Sequence, residues 1–396
     1  MPCKPRKAKI LLKQKKAKVV KMTPFTIQLL RPTKRNVQKI NLGIDVGYNH
    51  VGLSAITNSK EIYAEEIHLR EDIVSLNSER RQYRKSRRYR KTWYRKPRFL
   101  NRKKDKGWLA PSIKHKLDSH VKVIKKVKKI LPISKIIVEV ASFDIQKIKN
   151  PNISDKEYQE GDQLGFWNVR EYVFHRDNHK CQNCIGKSKD TILNVHHITS
   201  RKTGGNRPDN LITLCKTCHL KYHDNELKIS FKKSKNFKAE TFISSIRWKL
   251  IEILKIENNI SYTFGYKTKR NRILQKLKKS HITDAFVIAG GTNQIRQSGF
   301  FYTKQVRRSN RKLFKGIRSH LKNTATRFIK GFQRFDKVFW NKKTCFIFGR
   351  RKTGYFDLRQ LNGVKIHASA KAKDCILLET FKTFLTEWRV GVSSHP

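Results

Sequence analysis

Alternating apolar and polar positions predict three short strands near the start of the chain. In residues 41–46 the apolar side chains alternate with Asn, Gly and Asp, which predicts a strand with Asp45 pointing away from its apolar face. A Gly-Tyr-Asn turn at 47–49 leads into a second strand. Residues 61–67 predict a third. The chain therefore begins its first folded domain with a strand that carries an isolated carboxylate.

Longer stretches without Gly or Pro predict helices. Residues 71–96 predict one long helix that ends at Pro97, and residues 113–131 predict a basic amphipathic helix. Residues 237–256 also predict a helix, as does 280–289, where Ser280 is the expected N-cap.

Further strands follow these helices. Residues 135–141 predict a short buried strand, and Glu139 lies within its apolar run, where a carboxylate requires a partner or a function. Residues 261–266 predict another strand. The region from 338 to 378 is rich in hairpin signals, of which Asn362-Gly363 between alternating runs is the strongest. We expect a small β-rich domain near the end of the chain.

Composition narrows the classes of function. The 396 residues hold 90 Lys plus Arg and 30 Asp plus Glu, a formal charge of +60, so nucleic acid is the expected partner. With 22 Phe and 6 Trp the chain can still form cores, which excludes a disordered basic tail. The charge also excludes a simple small-molecule enzyme. No long apolar run and no signal peptide are present, so we expect an intracellular protein, bacterial or organellar, without membrane contact.

The first 44 residues contain no acidic residue. Apolar positions between 10 and 20 share a face on a predicted short basic helix, and residues 26–30 are expected to be extended. A transit peptide is an alternative interpretation, but such peptides are rich in Arg and Ser, whereas this segment is rich in Lys and lacks Ser. We favour an RNA-binding arm.

A dense cationic stretch lies between Arg80 and Lys104, with fourteen Lys or Arg, five aromatic residues and no acid. On a helix, six of these cations form one stripe: Arg80, Arg84, Arg87, Arg88, Lys91 and Arg95. Cations of this kind contact phosphates, and the interleaved rings can stack on bases. A solvated charged face is the alternative. It is disfavoured because repeated like charges destabilise a free helix.

Four cysteines form the strongest motif. Cys181-x2-Cys184 is followed after thirty residues by Cys215-x2-Cys218. This spacing predicts a closed tetrahedral site in which four cysteines hold a structural Zn²⁺, which a module this small needs in order to fold. Four unrelated buried cysteines are the weaker alternative.

Polar residues within and after the cysteine motif resemble the ββα-metal HNH nucleases. The sequence contains Val195-His196-His197-Ile198, then Asp209-Asn210-Leu211, then Cys218-His219 and His223. The resemblance implies that His197 is the general base and that Asn210 orients the attacking water. It also implies that His196 and His219, with His223 as a third candidate, hold one divalent ion. A non-catalytic zinc ribbon that binds DNA is the alternative.

Three scattered acids form a second candidate constellation. Asp45, Glu139 and Asp284, with His281 one helical turn before Asp284, resemble the RNase H/RuvC-type site, in which carboxylates hold two Mg²⁺ ions. In that resemblance His281 assists deprotonation or orients water. Each acid alone is a weak signal, and the sequence spacing would not have grouped them.

The order of these segments resembles the IscB family of transposon-encoded RNA-guided DNA nucleases. Phe346-Ile-Phe-Gly-Arg350 and Gly354-Tyr-Phe-Asp357 look like parts of its C-terminal region. The implied fold is multidomain α/β: an RNase H-like mixed sheet split in sequence, an inserted HNH zinc module, an arginine-rich bridge helix and a small β-rich domain. The implied segments are a PLMP-like domain (1–38), RuvC-like segment I (39–70), the bridge helix (71–104), RuvC-like segment II (105–160), the HNH domain (161–226), RuvC-like segment III (227–295) and a basic C-terminal domain (296–396).

The resemblance implies an RNA-guided endonuclease that cuts double-stranded DNA. The HNH site would cut the strand paired to the guide by one-metal hydrolysis, and the RuvC-like site would cut the displaced strand by two-metal hydrolysis. Mg²⁺, structural Zn²⁺ and a structured guide RNA are the expected cofactors and partners. The expected state is a monomer within a ribonucleoprotein.

Two other functions remain open at this stage. An RNA-independent HNH homing or intron endonuclease would leave the three acids and the cationic helix unexplained. A non-catalytic ribonucleoprotein component with a zinc ribbon would tolerate alanine at His197 and Asp45. Divalent-dependent cutting separates the enzymes from the structural protein, and guide dependence separates the two enzymes.

Overall fold

The structure is a computed structural model. It describes residues 2–32, 37–91, 107–140, 165–166, 168–199, 206, 208–227, 229, 238–256, 259–308 and 326–391. The chain divides into two compact units. We call residues 1–142 together with 242–396 the sheet unit, and residues 143–241 the inserted unit.

Helices and strands alternate along the chain. In order they are α1 (Pro5–Lys13), β1 (Ala17–Lys21), β2 (Thr26–Leu29), β3 (Asn41–Val46), β4 (His50–Ile56), β5 (Glu61–His68), α2 (Ile73–Lys91), α3 (Pro111–Lys128), β6 (Lys135–Val140), α4 (Val169–Arg176), β7 (Leu193–His197), β8 (Leu211–Cys215), α5 (Lys216–His223), α6 (Lys238–Lys255), β9 (Ile260–Phe264), α7 (Gly265–Leu274), α8 (His281–Ile288), β10 (Gly299–Gln305), β11 (Lys337–Trp340), β12 (Lys343–Arg350), β13 (Tyr355–Arg359), β14 (Lys365–Lys371), β15 (Ile376–Glu379) and β16 (Phe384–Val390).

A seven-stranded mixed sheet organises the sheet unit, in the order β16-β10-β5-β4-β3-β6-β9. Strands β3, β4 and β5 are antiparallel neighbours, as their short connections require. Strands β6 and β9 run parallel to β3, each reached through a crossover that contains helix. The predicted mixed α/β class, with a large mixed sheet, is confirmed.

Helices cover both faces of this sheet near β3. Leu42 and Ile44 pack in one core with apolar residues of α3 and α6. Gly43, on the opposite face, lies against α8. Asp45 shares the face of Gly43, because alternate residues of a strand point the same way. The face of β3 that the sequence pattern predicts to be polar is therefore covered by helix α8.

The first twenty residues differ from the prediction. The helix expected over 10–20 begins at Pro5 and ends at Lys13, and Ala17 to Lys21 form a strand instead. Lys15 takes a positive φ of 51°, which interrupts the helix. β1 then pairs with β2, and this hydrogen-bonded partner outweighs the local amphipathic pattern.

Later predictions meet mixed outcomes. The helices expected at 113–131, 237–256 and 280–289 are present as α3, α6 and α8, and Ser280 Oγ accepts a hydrogen bond from Thr283 N–H at 3.1 Å as the N-cap. The strand expected over 261–266 ends at Phe264, and the unpredicted helix α7 begins at Gly265. The helix expected over 71–96 is described as far as Lys91, and its remainder lies outside the described residues.

A five-stranded antiparallel sheet, in the order β14-β13-β12-β11-β15, completes the sheet unit. The predicted Asn362-Gly363 turn connects β13 and β14, and Gly363 takes a φ of +95°, which suits glycine. The expected β-rich region near the end of the chain is thus confirmed. In the inserted unit, β7 and β8 form a hairpin and α5 follows β8 directly, which gives a ββα arrangement.

Candidate functional site

Two glycines bring a histidine of α8 to Asp45. Gly52 pairs with Asp45 across β3 and β4, and a Cβ at Gly52 would lie 2.0 Å from the carbonyl oxygen of His281. A Cβ at Gly43 would lie equally close to the Ala285 carbonyl, at 2.0 Å. The absence of side chains at both positions lets α8 lie directly on the sheet. His281 Nδ1 consequently sits 2.7 Å from Asp45 Oδ2.

Glu139 and Asp284 belong to the same neighbourhood. Val138 pairs with Ile44, so Glu139 follows on the Asp45 face of the sheet. Burial, with the negative charges of Asp45 and Asp284 nearby, raises the pKa of Glu139 to about 7. Burial and the Asp45 charge likewise raise the pKa of Asp284. The raised pKa values of Glu139 and Asp284 mark a place where added positive charge is stabilising.

Arg272 supplies positive charge at this place. Its Nε lies 2.8 Å from Asp284 Oδ1, and both side chains are largely buried. Within the described residues, the groups of three or more potential ligands whose donor atoms all lie within 4.8 Å are the cysteine and histidine clusters described below. The carboxylates around Asp45 are more widely spaced. Oxygen donors of this kind suit Mg²⁺, which keeps several waters as ligands.

Three imidazoles stack outward from Asp45. The ring of His281 lies parallel to that of His50, with centroids 5.1 Å apart, and His50 stacks on His68 at 4.7 Å. His50 Nδ1 lies 3.2 Å from Glu66 Oε1, which fixes its ring. The hydrogen bond to Asp45 raises the pKa of His281. His50 and Glu66 therefore position the histidine that holds Asp45.

Helix α3 holds the turn that follows Asp45. The Lys116 ammonium donates to the Tyr48 carbonyl and to Asn49 Oδ1, and burial lowers the pKa of Lys116 to about 8. The ring nitrogens of the fully buried His120 lie 2.7 Å from the Lys116 carbonyl and 3.2 Å from the Gly47 carbonyl. These contacts fix the backbone immediately after the candidate carboxylate.

In the inserted unit, three histidines converge. His196 lies on β7, and His219 and His223 lie one turn apart on α5, so their imidazoles face the same point. Their donor atoms all lie within 4.8 Å of one another. Burial and the neighbouring imidazoles lower the pKa of His196 to about 4. A neutral imidazole is the form that binds a metal ion, so this cluster can hold one divalent cation.

His197 and Asn210 lie beside that cluster. His197 Nε2 is 3.1 Å from Asn206 Oδ1. Asn210 is 1% exposed, and its side chain accepts from the Thr199 N–H at 2.9 Å and donates to the Thr199 carbonyl at 2.8 Å. The water-orienting role expected for Asn210 stays a prediction. Its amide holds the backbone that follows His197.

The four motif cysteines come together in the inserted unit: Cys181, Cys184, Cys215 and Cys218. The sulfurs of Cys184 and Cys215 are 3.8 Å apart, the separation that ~2.3 Å Zn–S bonds give in a tetrahedral site. The Cys218 N–H donates to Cys215 Sγ at 3.4 Å, and the Asn183 side-chain amide donates to Cys218 Sγ at 3.3 Å. Such donors stabilise thiolates, and the donor set suits zinc.

Of the predicted cationic stripe, Arg80 and Arg84 are exposed on α2. Arg87, Arg88 and Lys91 fall within the helix bounds, although their side chains lie outside the described part. Arg95 lies outside the described residues altogether.

Sequence reasoning missed several residues that surround the candidate sites: His50, Glu66, His68, Lys116, His120 and Arg272. No spacing rule selects them, because each acts through a partner that is distant in sequence. A buried lysine within the apolar face of α3 was the one local signal, since lysine is rarely buried without a partner.

Two family models match the chain. The model described as RRXRR protein matches residues 1–161, and the model described as HNH endonuclease matches residues 181–225. The HNH match covers the cysteine motif and the three histidines. A 62-residue stretch is also 34% identical to Anaredoxin of Nostoc sp. (strain PCC 7120), covering 15% of this chain and 79% of that protein.

Solved structures of Streptococcus thermophilus Cas9 show weak similarity. The complex with the AGAA PAM is 13% identical, with a TM-score of 0.34, over 63% of this chain and 32% of that chain. The complex with the GGAA PAM is 15% identical, with a TM-score of 0.29, over 45% and 26%. The chain thus spans less than a third of these Cas9 chains, and TM-scores of this size do not establish a shared fold.

Among the described helices, none combines the length and the apolar composition that crossing a membrane requires. The region that the HNH endonuclease model matches contains both ligand clusters, whose donor atoms suit metal ions.

Proposed function

The chain belongs to the IscB-like nucleases, and from that premise we propose that it is an RNA-guided endonuclease that cuts both strands of double-stranded DNA. The inserted unit would cut the strand paired to the guide. The carboxylates at the sheet would cut the displaced strand. The observation that carries the proposal is the convergence of His196, His219 and His223 beside His197 within the HNH match.

The inserted unit supplies a base and a metal site. His197 accepts the proton of the attacking water at an imidazole nitrogen. Asn210 would orient that water, and its amide also keeps the backbone after His197 in place through Thr199. A divalent ion held by the three histidines would stabilise the charge that develops on the phosphate. The cysteine site, with zinc, would hold the fold that aligns these groups.

The sheet unit supplies the second candidate site. Strand order β5-β4-β3-β6-β9, with β6 and β9 parallel to β3, supports an RNase H-like arrangement of RuvC type. In it Asp45, Glu139 and Asp284 would hold Mg²⁺, and two such ions would clamp the attacking and leaving oxygens. His281 orients the Asp45 carboxylate through its 2.7 Å contact and can orient water there.

Guidance by RNA rests on charge and on family membership. A formal charge of +60 requires a large polyanionic partner, and the arginines exposed on α2 support its assignment as a bridge helix that contacts phosphates. Base pairing would then read the target, while the protein reads backbone shape and a short adjacent motif. We retain a structured guide RNA, a monomeric ribonucleoprotein, an intracellular location and the seven-segment organisation as parts of the proposal.

The test is strand-resolved plasmid cleavage in Mg²⁺. The full chain is purified with RNA transcribed from its flanking locus, and the guide is reprogrammed to a new target. Wild type should linearise only the programmed plasmid. His197→Ala and Asp45→Ala should each leave a nick, in opposite strands, with the affected strand cut ~100-fold more slowly or worse.

Three other outcomes would contradict the proposal. Cutting that ignores the guide would favour an RNA-independent homing endonuclease. Bound RNA without any cutting would favour a structural ribonucleoprotein component. Loss of both cuts in either variant would contradict the assignment of one strand to each site.

A further inference from the structure

Four aromatic side chains form a continuous row at one edge of the large sheet. The row, which we call the aromatic row, consists of Trp248, Tyr262, Phe264 and Tyr266. Consecutive ring centroids lie 5.5, 5.7 and 6.0 Å apart. The four side chains are 46, 50, 37 and 68% exposed in the same order. Two of them lie on β9, the last strand of the seven-stranded sheet.

Contiguity distinguishes this row from ordinary exposed rings. Single apolar side chains are common on protein surfaces, whereas contiguous exposed patches mark interaction sites. Tyr262 and Phe264 share one face of β9 because they are two residues apart, and Trp248 of α6 extends that face. Tyr266, at the start of α7, stacks on Phe264 with an interplanar angle of 15°. The rings of Trp248 and Phe264 each meet that of Tyr262 nearly at a right angle, at 88° and 85°, so the row offers both ring edges and ring faces to one elongated ligand.

Charge indicates the chemistry of that ligand. Residues 258–283, which contain three of the four rings, hold seven Lys or Arg and no acidic residue. The Arg247 guanidinium lies 5.6 Å from the Trp248 ring centroid, and Lys267 Nζ lies 6.0 Å from that of Tyr266. Ring faces interleaved with cations are the surface on which single-stranded nucleic acid stacks its bases and places its phosphates.

The row ends beside the candidate carboxylate site. Gly265 lies between Phe264 and Tyr266, and a Cβ there would be 3.1 Å from Glu139 Oε1. Helix α7, which begins at Gly265, also carries Arg272, the partner of Asp284. Tyr262 and Phe264 pair with Val138 and Val140, so their rings lie on the face of the sheet opposite Glu139, and the row approaches the carboxylates only at Gly265.

We propose that the aromatic row binds unpaired bases of single-stranded DNA. The proposal rests on the proposed function in one respect, the identity of the strand as the displaced DNA strand. Base stacking by the row does not itself require that the chain cut DNA. Binding and cutting can therefore be tested separately.

The experiment measures, by fluorescence anisotropy, the affinity of the full chain for a short fluorescent single strand of DNA and for the same strand carrying abasic sites. Both measurements are made at elevated salt. Both strands have the same phosphates, so the ratio of their affinities reports contacts to bases. The wild-type protein should bind the intact strand at least about fivefold more tightly than the strand with abasic sites. In the double variant Phe264→Leu/Tyr266→Leu, this ratio should fall towards one.

Three control variants separate stacking from other effects. Leu274→Ala removes an aliphatic side chain of α7 that is 68% exposed, the same fraction as Tyr266, and should leave the ratio unchanged. Lys267→Gln should weaken the binding of both strands by the same factor and leave the ratio of their affinities unchanged. Tyr266→Phe, which keeps the ring, should retain the wild-type ratio, and melting curves of all variants report on folding.

A wild-type ratio of one, or an unchanged ratio in the double variant, would overturn the proposal whatever the cleavage result. A ratio above one only for single-stranded RNA of the same sequence would overturn the assignment to DNA. Asp45→Ala should abolish displaced-strand cutting and keep the ratio. The cleavage assay thus tests the proposed function, and the affinity ratio separately tests base stacking by the aromatic row.

Discussion

The two candidate sites differ in how their residues are gathered. Those of the inserted unit, from Cys181 to His223, lie within one short stretch that folds as a hairpin followed by a helix. Those of the sheet unit, Asp45, Glu139, His281 and Asp284, span most of the chain and meet through strand pairing and the packing of α8.

This difference implies different sources of stability. The cluster of buried residues around the cysteines is small, and it includes the cysteines themselves, so we expect the inserted unit to depend on a bound metal ion. The sheet unit instead buries a large apolar core shared by β3–β6, α3 and α6. Perturbations should therefore affect one site without the other, and the following predictions test that separation.

Removing Cys215, one of the four proposed zinc ligands, should have the largest effect. Zinc binding in small modules contributes ~10–16 kcal/mol, so Cys215→Ser should unfold the inserted unit. Cutting of the guide-paired strand should be lost, and nicking of the displaced strand should persist. Zinc content by mass spectrometry and strand-resolved cleavage are the measurements. Cys3→Ser, at an exposed cysteine, is the matched control, and unchanged zinc content in Cys215→Ser would contradict the assignment of zinc to the four-cysteine site.

Gly52→Ala should damage the other site. A Cβ there would lie 2.0 Å from the His281 carbonyl oxygen, so α8 must move away from the sheet. Because a misplacement of ~1 Å can cost ~100-fold in rate, displaced-strand cutting should fall by about that factor. Guide-paired cutting should be unchanged. In the control Gly391→Ala, the added Cβ would lie 3.5 Å from its nearest neighbour, so that variant should behave as wild type. Equal loss of both cuts in Gly52→Ala would refute the separation of the two sites.

Asn210→Ala should destabilise the inserted unit by a smaller amount. The substitution leaves the Thr199 N–H and carbonyl without their side-chain partner, which costs about 1–3 kcal/mol. Guide-paired cutting should fall, because the loop after His197 loses its support. Asn210→Asp keeps the acceptor and removes the donor, so its loss should be intermediate. If Asn210→Ala had the melting temperature of wild type and cut the guide-paired strand at the wild-type rate, the positioning role of Asn210 would be refuted.

The smallest effect concerns acid stability of the sheet unit. Burial acts to raise the pKa of Glu65, but Lys126, at 2.9 Å, and the hydroxyls of Thr303 and Tyr63 outweigh it and hold the pKa below its ordinary value. A carboxyl with a lowered folded pKa stabilises fully above its unfolded pKa of ~4.3, and this contribution is lost as pH falls through the lower folded value.

Glu65→Gln should consequently reduce the loss of stability below pH ~4.3, measured as the urea midpoint at successive pH values. Glu71→Gln, at an exposed glutamate paired with His68, is the control and should leave the pH dependence as in wild type. A pH dependence that is identical in Glu65→Gln and wild type would show that the Glu65 network does not govern acid unfolding.

Local chemistry made part of the molecule predictable. The CxxC spacing predicted a cysteine cluster, which the structure contains. The strands at β3, β4 and β5 and the helices α3, α6 and α8 followed from period and capping alone. In contrast, the helix expected over 10–20 was wrong in its second half, because pairing with β2 decided the outcome there.

What the sequence by itself determined is chemistry carried by neighbours along the chain: the +60 charge, the paired cysteines, the His196–His197 pair and the cationic stretch of α2. What only the tertiary structure decided is which distant groups meet. The stack of His281 on His50 depends on the two glycines that admit α8. The contacts of Lys116 and His120 with the turn after Asp45, and the continuity of the aromatic row, depend on which strands and helices pack side by side. Such contacts follow from packing across the sheet, and no local pattern encodes which strand lies beside which.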